Sequence, residues 1–207
     1  MPLLTSSPLS SESKHMALIR LAEIDELTGT PREVAESGFA QYGQLLNTWR
    51  AIMNKPDMFA AYLPFLRQVA GPGVLDQKIK DTSALFVGYL NNDRYTASHR
   101  ATSASKNGVS VDEMRAAVGH DWDGFDERTR VALKFTQELT LNPVTVSYEE
   151  LPQAVSAETL AAVKRLFSDA ELLELAMSVA MWNALARFHR VMGFELDMPE
   201  APEGVNP

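Results

Sequence analysis

Apolar residues recur at helical spacing along this chain, while no segment alternates apolar and polar residues for long, and that contrast fixes the fold class as all-α. Phe39, Tyr42, Leu46, Trp49 and Met53 step by three and four residues and predict a helix that stops at Lys55-Pro56, where proline opens the next helix at its first turn. That second helix carries Phe59, Leu63, Leu66 and Ala70, with a kink at Pro64 and a turn at Gly71-Pro72-Gly73. A third begins near Asp76, and after a break at Asn91-Asn92 a fourth runs to about Lys106, ending at the glycine cap Asn107-Gly108. Ser110-Val-Asp-Glu113, Ser147-Tyr-Glu-Glu150 and Ser168-Asp-Ala-Glu171 match the capping box and mark three helix starts. Glu127 to Leu141 reads as another helix, ending at Asn142-Pro143. The last, Asp169 to Met192, has one apolar face of Leu173, Met177, Ala180, Ala184, Phe188 and Val191 and a second of Leu172, Leu175, Val179 and Ala186, which predicts burial on most sides. Asn183 and Arg187 fall on that second face and need partners there.

The 207 residues suffice for a core without staples, and 45% apolar with 22% charged residues is a globular balance. A net charge of −8 repels phosphate backbones, which argues against nucleic acid as a partner. The most apolar run, Leu172 to Leu185, is interrupted by Glu174, Ser178 and Asn183, so no membrane span is expected. Residues 1–15 lack the features of a signal peptide and read as an added or disordered leader, leaving residues 16–207 as one cytoplasmic domain. The chain has no cysteine, which removes disulfides, thiolate metal sites and thiol redox catalysis.

The chemistry-bearing segment is Asp81-Thr-Ser-Ala-Leu-Phe-Val-Gly-Tyr-Leu-Asn-Asn-Asp-Arg-Tyr-Thr-Ala-Ser-His-Arg100, followed by Gly108-Val-Ser-Val-Asp-Glu113. With the flanks Leu45-Leu-Asn-Thr-Trp-Arg-Ala-Ile-Met53, Pro56-Asp-Met-Phe-Ala-Ala-Tyr-Leu-Pro64, Phe125-Asp-Glu-Arg-Thr-Arg130 and Trp182-Asn-Ala-Leu-Ala-Arg187, it resembles the carboxymuconolactone decarboxylase and alkylhydroperoxidase (AhpD-like) superfamily over most of residues 38–197. The resemblance implies an AhpD-like helical bundle, a single domain with an N-terminal helical extension. It also implies a homo-oligomer, a trimer, hexamer or dimer. Anchoring on Tyr95 and Gly108 puts the family glutamate at Asp81, its cysteine pair at Asp93 and Thr96, and its histidine at Arg100. Anchoring on His99 instead aligns Asn92, Tyr95 and His99, with Lys80 at the acidic position. The first register keeps an acid at 81 and is preferred.

Either line of residues shares one helix face and can border a cavity. With thiol peroxidase chemistry excluded, acid–base and electrostatic chemistry remains. His99 is the natural proton carrier, Arg100 suits a carboxylate grip, and Tyr95 suits a developing oxyanion. Asp81 or Asp93 would orient the imidazole or pair with Arg100, Thr96 would help bind the anion, and Asn183 and Arg187 would line the pocket. Each has a plainer counterpart: Asp93 as a helix N-cap, Asp81 with Arg100 as a structural ion pair, Tyr95 as a packing residue, Asn183 and Arg187 as helix ties. His120-Asp121-Trp122-Asp123 is too nonspecific for a metal site, His189 shows no convergent partners, and no metal or cofactor is expected. The functional expectation is a cofactor-independent lyase, decarboxylase or isomerase acting on a small organic acid, lactone or carbonyl compound. The alternatives are a non-catalytic small-ligand-binding or assembly protein, or a site completed by a partner subunit.

Overall fold

Side-chain caps set most of the helix starts in the computed structural model, which describes residues 17–207; the leader expected at residues 1–15 lies outside them. After a short 3-10 turn at Ile24–Glu26 come α1 (Gly29–Tyr42), α2 (Asn47–Ile52), α3 (Pro56–Ala70), α4 (Gln77–Leu90), α5 (Arg94–Lys106), α6 (Val111–Gly119), α7 (Glu127–Thr145), α8 (Ala157–Leu166) and α9 (Asp169–Met192). Asp76, Asp93, Ser110, Asp126, Ser156 and Ser168 each accept a backbone amide that the first turn of the following helix leaves unpaired. No strand occurs among the described residues, and none of their helices is long and apolar enough to cross a membrane.

Helix α4 is the axis of the molecule: every residue from Ile79 to Gly88 is buried, because α5, α6, α7 and α9 all pack on it. On one side Ala84 and Val87 join Phe135, Val163, Leu175, Val179 and Trp182; on the other Leu85 and Phe86 meet α5, α6 and the C-terminal residues Ala201 and Val205. Phe86 alone, fully buried, contributes about 2–3 kcal/mol by leaving water. A third cluster, with Trp49, Phe59 and Leu63, seats α1–α3. α4 and α5 form a tight hairpin around Gly88, where an added Cβ would lie 3.0 Å from the Ala97 amide nitrogen and from Thr96 Cγ2. After α9 the left-handed cap Gly193 turns the chain back across α5, where Ser98 Oγ donates to the carbonyl oxygens of Met198 and Pro199.

Three local expectations are corrected. The helix expected to run through Phe39–Met53 breaks, because Gly43 takes the left-handed conformation (φ 73°) and caps α1; α2 then starts afresh at Asn47. The hydrogen bonds of the Ser147 box form, yet they close only a turn: Pro152 follows at once, and the helix begins at Ala157 under Ser156. The outer face of α9 is not buried, since Leu173 and Val191 expose 63% and 65% of their surface, whereas Leu175, Val179 and Ala186 are fully enclosed.

Candidate active site

A cavity of about 440 Å³ opens between α3, α5 and the Trp182 turn of α9, and both His99 and Arg100 line it. They reach it because successive residues of α5 point about 100° apart, so neighbours on one helix can share a broad wall. A small inner pocket of about 40 Å³ continues from it past His99 and Arg100 towards Thr48, Tyr95 and His189.

His99 is positioned by a residue 98 places away. Its Nε2 lies 2.5 Å from Asp197 Oδ1, while Asp197 Oδ2 accepts from the Tyr95 hydroxyl at 2.6 Å and from the Asn47 amide at 2.6 Å. The break before α2 makes this possible, since Asn47 is the first residue of that helix and its N–H has no partner within it. The Tyr95 ring stacks on His99 at 4.4 Å between centroids. Burial drives Asp197 towards protonation, but the bonds from His99, Tyr95 and Asn47 outweigh it and hold its carboxyl below the usual range. With Asp197 ionised, Nε2 carries the proton and Nδ1 is the basic nitrogen. Burial lowers the His99 pKa, with Asp197 opposing, so the ring is neutral at pH 7. Burial, reinforced by Asp197, raises the Tyr95 pKa and keeps its hydroxyl protonated.

Arg100 sits apart from that chain. Its guanidinium lies over the Trp182 ring at 4.1 Å, its Nε has no acceptor among the described residues, and its Nη1 stands 3.8 Å from Asp81 Oδ1, beyond hydrogen-bond reach. Asp81 is already engaged by Ser103 Oγ (2.9 Å), Asn107 Nδ2 (2.6 Å) and Gln77 Nε2 (3.2 Å), so it supplies Arg100 with charge rather than with a bond. Asp81 thus faces Arg100, and the acid beside His99 is Asp197.

The other candidate residues belong elsewhere. Asp93 caps α5, accepting from the amides of Tyr95 and Thr96. Thr96 is fully buried and its Oγ1 bonds His189 Nδ1 at 2.9 Å, which withdraws it from the large cavity. His189, for which no partner was expected, has three: Thr96, Asp93 Oδ2 at 3.3 Å from the same Nδ1, and Thr48 Oγ1 at 2.9 Å from Nε2. Asn183 and Arg187 do not line the cavity. Asn183 ties α9 to Thr140 of α7 and to Asn91, and Arg187 donates back to Asn183. His120 is the left-handed cap of α6, stacked on Trp122 and bonded to Gln137.

Asp197, Thr48 and Arg67, which also lines the cavity, were missed by the sequence reading. No local spacing marks the first two, because their partners lie 47 to 150 residues away. His189 carried a usable signal: it stands four and seven residues beyond Leu185 and Trp182, on the buried side of α9.

No protein-family model matches the chain, and no curated protein sequence does. Solved structures do. A peroxidase-related protein from Ralstonia eutropha JMP134, described as an alkylhydroperoxidase AhpD core, superposes with a TM-score of 0.72 at 16% identity, over 93% of this chain and 96% of that one. This is the AhpD-core fold. A peroxidase-related protein from Silicibacter sp. TM1040 superposes with a TM-score of 0.69 at 15% identity, covering 90% of this chain and 94% of its own. The debrominase Bmp8, in complex with 2,3,4-tribromopyrrole, matches at 0.66 and 19% identity over 95% of both chains.

Proposed function

We propose that this protein is a cofactor-independent enzyme that moves a proton on a small organic acid, lactone or carbonyl compound, as a lyase, decarboxylase or isomerase. One observation carries the reading: an imidazole held by a carboxylate and a guanidinium without a hydrogen-bond partner among the described residues line the same cavity. In this scheme His99 Nδ1 takes and returns the proton, and Asp197 fixes its tautomer and stabilises the imidazolium formed in passing. Arg100 binds the anionic group. Tyr95 acts through Asp197 as a positioning residue. The volume suits a small molecule, and a neighbour of this fold, the Bmp8 debrominase, is in complex with one. Thiol peroxidase chemistry is excluded by the lack of cysteine.

A panel of small acids and lactones, followed for turnover, tests the scheme. His99→Ala should lower kcat on the order of 100-fold or more, and Arg100→Gln should act mainly on KM. A substrate turned over equally well by His99→Ala removes the mechanism. The rival reading, a binding protein without chemistry, draws on Arg100 standing where the resemblance places a histidine, and it predicts saturable binding with no turnover.

A further inference from the structure

The buried side-chain N–H groups without an acceptor among the described residues, apart from hydroxyls, are Arg67 Nε, Arg100 Nε and Trp182 Nε1, and all three belong to residues lining the one cavity. An N–H donor shut away from water without a partner costs roughly 1–3 kcal/mol; these three lie behind the cavity surface, so a ligand would meet the outer guanidinium nitrogens of the two arginines. The charges agree: Arg67, Arg100 and Lys106 line the cavity and no Asp or Glu does, in a chain of net charge −8. The remaining wall is mixed, with Trp49, Leu63, Leu66 and Trp182 supplying apolar surface beside Gln41, Thr102, Ser103 and Asn107.

We propose that the ligand is an aromatic monocarboxylate, its carboxylate held between Arg67 and Arg100 and its ring laid against Trp49, Leu63 and Trp182. Arg67, half-buried on α3 and tied among the described residues to Ser37 through Nη1, is then a second anion-binding residue of the cavity beside Arg100. The inference rests on the cavity being the ligand site, as in the function proposed above.

Trp49 and Trp182 line the cavity, so tryptophan emission of the full chain reports occupancy without turnover. At constant ionic strength, phenylacetate should quench saturably, with benzyl alcohol and succinate each about tenfold weaker or worse. Arg67→Met should weaken phenylacetate about tenfold and leave benzyl alcohol unchanged, and Arg67→Lys should restore only part. No saturable quenching by phenylacetate, benzyl alcohol binding as tightly, succinate binding more tightly, or an Arg67→Met variant that folds and binds normally would each overturn the proposal. Indifference of turnover to His99→Ala would remove the proton-transfer scheme and leave this inference standing, whereas indifference of binding to Arg67→Met does the reverse.

Discussion

Replacing Asp197 by asparagine separates orientation of His99 from simple packing. The carboxylate is only 11% exposed and receives three charge-assisted hydrogen bonds of 2.5 to 2.6 Å. Asparagine has the same shape, and its oxygen can keep the bonds from Tyr95 and Asn47. Its amide then faces His99 Nε2, which must surrender its proton to accept. The ring thus reverses its tautomer and presents Nδ1–H to the cavity. Converting three charge-assisted bonds to neutral ones costs roughly 1 kcal/mol each, so a loss of about 2–4 kcal/mol is expected in urea unfolding at pH 7. A base with the wrong tautomer should also lose on the order of 100- to 10,000-fold in turnover, while ligand binding through Arg100 persists. Nitrogen-detected NMR of the His99 ring reads the tautomer directly. An Asp197→Asn protein that keeps the Nε2–H form and unfolds within about 0.5 kcal/mol of the parent refutes the assignment, with the exposed Glu195→Gln on the same tail as the neutral control.

Acid should weaken the fold through the same pair. The folded pKa of His99 lies below its ordinary 6.5, so its contribution is complete above pH 6.5 and is lost as pH falls towards the folded value; that of Asp197, held below 3.8, follows at lower pH. Unfolding free energies from urea titrations between pH 7.5 and 5 should fall by no more than about 1.4 kcal/mol per pH unit for one proton, and His99→Gln should flatten that limb; an unchanged slope contradicts the sign. Gly88→Ala should destabilise by roughly 1–3 kcal/mol, because the new methyl meets the α5 backbone at 3.0 Å, and a thermal melt within 1 °C of the parent would contradict this. Lys80, 1% exposed, bonds Glu174 at 2.7 Å and the Gly71 carbonyl at 2.8 Å, so Lys80→Met should cost about 3–5 kcal/mol by chemical denaturation and loosen the turn that rims the cavity. A melt of Lys80→Met matching the parent would show that the ion pair is dispensable.

Local chemistry was readable from the residues themselves. Ser110 and Ser168 cap helices as their spacing implied, Asp76 stands at the expected start of α4, Asp93 takes the capping role weighed beside a catalytic one, and Asp169–Met192 spans the expected last helix, because capping and periodicity act within a few residues. The same reasoning failed at Gly43, where tertiary contacts decide whether a glycine ends a helix, and at Ser147, where a proline five residues on cut the helix short. The α5 residues His99 and Arg100 were singled out by the family resemblance together with the chemistry of imidazole and guanidinium. Asp197, Arg67 and Thr48 were not, since each acquires meaning only when distant elements close around α5, and no local spacing announces that meeting.

The two oxygens of Asp197 are both taken, and one of them fastens His99 by its far nitrogen. In the proposed scheme a flat carbanion or enolate would therefore take its proton back from the same imidazole nitrogen that removed it. Hydrogen would leave and come back on the same side of the plane. A product formed from deuterated substrate in ordinary water should then retain part of its label, with a single handedness at the new centre.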